Sequence, residues 1–121
     1  MSSSVPTLFS LAHPDVRWSD ALKDVFRVGM AAAVSHLDER REDDVLCLSE
    51  GTPGIVRAWF EPRARLVQQF KDAGMRPLHS LFADVAPGTL RVFVQRASDG
   101  GEMGACQVSL DALRQQGPGC V

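Results

Sequence analysis

The first half of the chain has the clearest helical pattern. Apolar and small side chains recur there at spacings of three and four residues, at Leu22, Val25, Phe26, Gly29, Met30, Ala33 and Leu37. Such spacing places them on one face of an α-helix. We therefore predict a helix that begins near Pro14 or Ser19 and ends near Arg41, capped by Asp15 or Ser19. Its small-residue patch at 29–33 would pack on the domain's own sheet or on a second copy of the helix.

Shorter apolar runs after this helix predict a first hairpin. Residues 45–48 are all apolar, residues 55–60 are rich in β-branched and aromatic side chains, and the turn between them contains Gly and Pro. A second helix is predicted over residues 62–73, with Gly74 in the position where a left-handed residue ends a helix. Its apolar face consists of Leu66, Val67, Phe70 and Ala73.

The last third of the chain predicts a second hairpin. Residues 90–97 and 105–110 alternate between apolar and polar side chains on either side of a Gly-rich turn. Residues 77–85 fit both a helical stripe and strand alternation, and we interpret them as a strand or irregular segment. Asp111 can cap a short terminal helix that ends near Gln116.

The predicted order is therefore α-β-β-α-β-β-β with a short C-terminal helix. Short turns between neighbouring strands favour an antiparallel sheet of about five strands, and two amphipathic helices favour one covered face. This is an α+β fold. We expect a single domain over residues 14–121, preceded by a flexible leader at 1–13.

Composition adds a charge pattern to this fold. The chain has 121 residues and a formal net charge of −2, too small to attract nucleic acid or an anionic membrane over a distance. Residues 55–97 nevertheless hold seven Lys and Arg against three Asp and Glu. The sequence lacks Asn and Tyr and has eleven Arg but two Lys, which indicates a GC-rich genome. We expect a bacterial source.

The cysteines and the apolar runs bear on the compartment. The number of cysteines is odd, and their spacing is not that of metal ligands: they are Cys47, Cys106 and Cys120. This favours a reducing, cytoplasmic environment. No apolar run is long enough for a transmembrane helix, and the N-terminal residues do not resemble a signal peptide.

Motifs for catalysis, phosphate binding and metal binding are missing from the sequence, so we expect no catalytic residue, cofactor or metal ion. What remains is the basic middle segment and the exposed strand edges of the predicted sheet. These features favour a non-enzymatic protein-binding module, such as an inhibitor, an adaptor or a chaperone-like partner of another protein. The candidate binding residues are Arg57, Trp59, Arg63, Arg65, Arg76, Arg91 and Arg96.

Two other functions stay open. A small enzyme could assemble a pocket around Cys47, His79 or Glu50. A nucleic-acid-binding domain could stack single-stranded bases on a sheet face, because alternation places Arg57 beside Trp59 and Arg91 beside Phe93. A homodimer could form through a sheet edge or through the helix patch at 29–33.

Overall fold

A computed structural model describes residues 19–75, 78–97 and 101–116. The first helix, α1, spans Asp20–Ala33 and tightens into a 3₁₀ helix at Val34–Glu39. The strands are β1 at Asp44–Thr52, β2 at Ile55–Pro62, β3 at Thr89–Arg96 and β4 at Glu102–Ser109. The remaining helices are α2 at Arg63–Asp72, α3 at His79–Phe82 and α4 at Leu110–Gln116.

The start of α1 matches one of the two predicted caps. The Ser19 hydroxyl accepts a hydrogen bond from the Leu22 amide at 3.1 Å, which satisfies one of the unpaired donors of the first turn. The alternative start at Pro14, with Asp15 as cap, lies outside the described residues. Near its other end the predicted helix changes to 3₁₀ geometry at Val34 and stops at Glu39.

The sheet is mixed, which corrects the antiparallel prediction. Its order is β2-β1-β3-β4, and the central pair β1 and β3 is parallel, with Cys47 opposite Phe93. The two hairpins, β1–β2 and β3–β4, are antiparallel as predicted. Over the described residues the sheet has four strands, whereas about five were predicted. A parallel pair needs a crossover connection, and here α2 and α3 supply it.

The segment predicted as a strand or irregular at 77–85 contains the short helix α3. Leu81 is fully buried there, and Leu78 packs against the same apolar cluster. The helix is limited to the four residues His79–Phe82: Phe82 of the helical stripe is 43% exposed, and residues 83–85 are irregular, as predicted.

Helices cover both faces of the sheet, not one. Leu46, Leu48 and Val92 face α1 and α4, whereas Val45, Cys47 and Phe93 face α2 and α3. The unbroken apolar run at 45–48 follows from this arrangement, because both faces of β1 are buried.

The small-residue patch of α1 packs on the sheet of the same chain. A methyl group built on Gly29 would lie 2.6 Å from Cδ2 of Leu48, whose side chain is fully buried. Gly29 therefore allows α1 to approach β1 closely. None of the helices in the described part of the chain is long and apolar enough to cross a membrane.

Candidate protein-binding edge of the sheet

The two edge strands of the sheet differ in how far they are covered. On β4, Gly104, Ala105 and Cys106 are buried, and the Ser80 hydroxyl of α3 donates a hydrogen bond to the Ala105 carbonyl at 3.5 Å. On β2, side chains alternate between exposed and half-buried. As far as residues 19–75, 78–97 and 101–116 show, the open edge of the sheet is therefore β2.

One face of β2 carries a mixed row of side chains. Ile55, Arg57, Trp59 and Glu61 alternate along the strand and project to the side of α2. Ile55 is 58% exposed and Trp59 is 39% exposed. The Trp59 indole donates a hydrogen bond from Nε1 to Oε2 of Glu61 at 3.0 Å, and Nη1 of Arg65 lies 3.9 Å from Oε1 of the same carboxylate. Glu61 thus positions the indole.

A groove opens between this row and α2, with a volume of about 270 Å³. Its floor is apolar, since Cys47 and Phe93 lie beside Trp59 in one cross-strand row of the sheet. The Phe93 ring also packs edge-to-face on Phe70, with ring centroids 5.5 Å apart. The amides of Gln69 and Gln95 add polar groups to the lining.

A second hollow of about 400 Å³ borders β2 on the opposite face of the sheet. It is lined by Ala32 and His36 from the α1 side and by Ala58 and Phe60 from β2, and Trp59 borders this hollow as well as the groove. Both helical layers therefore leave space beside the β2 edge.

The candidate arginines do not form one surface. Arg57 and Arg65 are exposed near the groove. Arg91 is 6% exposed and is held in the structure, since its Nη1 donates to Asp43 at 3.2 Å and its Nη2 to the Ala83 carbonyl at 2.6 Å.

The other three candidate arginines also lie apart from the groove or outside the description. Nε of Arg63 lies 3.6 Å from Oδ2 of Asp43, and Nε of Arg96 lies 3.0 Å from Oε1 of Glu50. Arg76 lies outside the described residues. Arg91 and Phe93, which form half of the expected nucleic-acid surface, are buried. Arg57 and Trp59 are therefore the part of that surface that remains exposed.

The groups of the enzyme hypothesis are separated too. Cys47 lies in the groove, but burial raises the pKa of its thiol to about 12, with further contributions from Glu61 and Asp44, so at neutral pH it is protonated and a poor nucleophile. His79 is exposed at the start of α3. Glu50 pairs with Arg96 and accepts a hydrogen bond from the Gly54 amide at 3.0 Å.

Within residues 19–75, 78–97 and 101–116, no three His, Cys, Asp or Glu side chains converge as metal ligands would. Comparisons with protein-family models, with curated proteins and with solved structures gave no match. The candidate site therefore rests on its own geometry.

Sequence reasoning missed part of this site. Ile55 is not among the candidate residues predicted from the sequence, although its alternation with Arg57 and Trp59 places it on their face. Gln69, Gln95 and Met103 were also missed. They come from three elements whose proximity depends on the parallel β1–β3 pair, and no local pattern contains that information.

Proposed function

We propose that the chain is a protein-binding module that holds an extended segment of another protein in the groove between β2 and α2. The observation that carries this proposal is the apolar groove beside the open edge, with Trp59 half-exposed at its rim. The expected segment presents one large apolar side chain to the groove and has acidic residues beside it.

The groove is large enough for side chains of a bound segment. Its volume of about 270 Å³ accommodates one or two apolar side chains. Each such side chain that leaves water completely contributes about 1.5–3 kcal/mol, and Trp59 would lose its remaining exposure at the same time.

Polar groups at the groove fit a peptide backbone. The primary amides of Gln69 and Gln95 can each both donate and accept hydrogen bonds, as the N–H and C=O groups of an extended segment require. The floor provides the apolar contact, and these amides prevent the segment's backbone from being buried without partners.

Charge at the rim favours acidic residues in the bound segment. Glu61 is already engaged by Trp59 and Arg65. Among the described residues, no carboxylate lies within ion-pair distance of Arg57, and the Arg65 side chain is 69% exposed. The groove thus has unneutralised positive charge beside it, which steers acidic segments towards it.

Site-specific photo-crosslinking tests this function. A benzophenone amino acid replaces Gln69 at the groove, and in a matched control it replaces Val28, which is 43% exposed on α1. Each variant is irradiated in nuclease-treated lysate of the source organism. We expect a protein adduct at position 69 that is absent at position 28 and is lost when Trp59→Ala is added.

Binding of the identified partner then gives the magnitude. Truncation of a hot-spot Trp costs about 2 kcal/mol or more, so Trp59→Ala should weaken the purified complex by roughly 30-fold, whereas Val28→Ala should leave it unchanged. Equal adducts at both positions would contradict the proposal. An adduct at position 69 that forms in untreated lysate but not after nuclease treatment would also contradict it, and would favour the nucleic-acid function.

A further inference from the structure

Among the residues that the structure describes, no strand pairs with the outer edge of β2, so backbone N–H and C=O groups on that side lack a strand partner beside the exposed side chains of Ile55 and Trp59. Such an edge is a template for another strand, and proteins usually protect it. Here β4 is covered, whereas β2 is bordered by hollows on both faces. In the described part of the chain, the helical layers therefore leave room for a strand from another chain to lie alongside β2.

We infer that the strand that pairs with β2 is β2 of a second copy of this chain, in an antiparallel register with Trp59 opposite Trp59 of the second copy. The two sheets of four strands then join into one continuous sheet. This dimer goes beyond the proposed function and does not depend on a partner protein in the groove. Because it pairs Arg57 with Glu61 of the second copy, the cation that it leaves exposed beside each groove is Arg65.

The side chains of β2 complement themselves in this register. Arg57 lies opposite Glu61 of the second copy, and symmetry repeats this ion pair on the other side of the two-fold axis. On the opposite face of the sheet, Ala58 lies opposite Phe60 of the second copy, so that a small side chain meets a large one. Directly opposed residues of opposite charge or complementary size stabilise an antiparallel pair.

Neighbouring registers lack this match. With Ala58 opposite itself, the Glu61 carboxylate faces the apolar Ile55. With Arg57 opposite itself, two cations meet, and directly opposed like charges destabilise a strand pair. A register shifted by one residue would place residues from opposite faces of the two sheets directly opposite each other, for example Ala58 opposite Trp59 of the second copy. The Trp59 register is the one that gives each charge of the row an opposite charge.

The geometry of the dimer also places the two grooves. A two-fold axis perpendicular to the sheet keeps equivalent faces on the same side, so both grooves open in one direction with the Trp59 pair between them. The hollow on the opposite face, lined by Ala32 and Ala58, is where Phe60 of the second copy would approach.

Charge reversal tests both the dimer and its register. Sedimentation equilibrium and light scattering of the full chain, from micromolar to sub-millimolar concentration, should give about twice the chain mass of 13.2 kDa. Arg57→Glu and Glu61→Arg, each by itself, oppose like charges and should weaken the dimer by at least about tenfold. The control Arg27→Glu, on α1, should leave it unchanged.

Mixing the two single variants is the decisive experiment. One copy with Arg57→Glu and one with Glu61→Arg again have opposite charges at both ion pairs, so the mixture should form a heterodimer at concentrations at which each weakened variant alone is mostly monomeric. That result also shows that both variants are folded. A wild-type monomer at all concentrations, a dimer that ignores both substitutions, or a mixture that stays monomeric would each overturn the inference.

Discussion

Replacing Gly29 by Ala gives a sharp test of the packing between α1 and the sheet. From helix propensity alone, this substitution in the interior of a helix should stabilise the protein by about 1 kcal/mol. The structure predicts the opposite sign, because the new methyl group would lie 2.6 and 2.9 Å from the two terminal carbons of Leu48.

The size of the effect follows from the surroundings of Leu48. Its side chain is fully buried in the cluster that includes Phe26 and Met30, so it cannot move aside into solvent. Inserting a methyl group into a close-packed core costs about 1–3 kcal/mol. After the gain in helix propensity is subtracted, we expect Gly29→Ala to lower the free energy of unfolding by about 1 kcal/mol.

Urea unfolding followed by far-UV circular dichroism measures this change at fixed protein concentration. The control Ala32→Gly, at an exposed position of the same helix, should lose about 1 kcal/mol through propensity alone. In a Leu48→Ala background the space is free, so Gly29→Ala should stabilise by about 0.5–1 kcal/mol. A stabilising effect of Gly29→Ala in the wild-type background would refute the reasoning.

Two further predictions concern the charges and thiols of the core. Asp43→Ala removes the acceptor for Nη1 of the buried Arg91 and should lower the free energy of unfolding by about 1–3 kcal/mol. The control Asp24→Ala breaks an exposed pair with Arg27 and should change that free energy by less than about 0.5 kcal/mol. Equal losses for the two variants in urea unfolding would contradict the prediction. Stability should fall above about pH 9, because the unfolded Cys47 thiol ionises near its ordinary pKa while the folded thiol keeps its proton up to about 12. The unfolded state then binds fewer protons, and the free energy of unfolding falls by about 1.4 kcal/mol per pH unit for this thiol. The sequence has no Tyr and two Lys, so Cys47→Ala should visibly flatten the alkaline decline in urea unfolding, and an unchanged slope would count against a protonated buried thiol.

Local patterns in the sequence predict most of the elements correctly. The three- and four-residue spacing predicts α1, and the Ser19 hydroxyl caps it. The turn residues predict both hairpins. Gly74 follows α2 with a positive φ of 69°, as predicted for the residue after a helix. Each of these features depends on interactions within a few residues.

The errors concern contacts that are distant in the sequence. The segment around α3 fits two periodicities equally well, and both of them include the buried Leu81, so the local pattern alone does not decide between helix and strand. For the same reason the sequence wrongly predicts Arg91 as a surface residue. Alternation along β3 places its side chain on a definite face of the sheet, but cannot show that α3 and Asp43 enclose that face.

The apolar run at 45–48 nevertheless contained evidence against a sheet with one covered face. A strand with one face in water alternates, as β2 does from Ile55 to Glu61, whereas a strand with four consecutive apolar residues has both faces buried. Burial on both faces requires helices on both sides, and a chain that crosses the sheet to place them returns to form a parallel neighbour. The contrast between the unbroken run of β1 and the alternation of β2 therefore implies a central strand beside an edge strand, and it is on the edge strand that Trp59 stays 39% exposed.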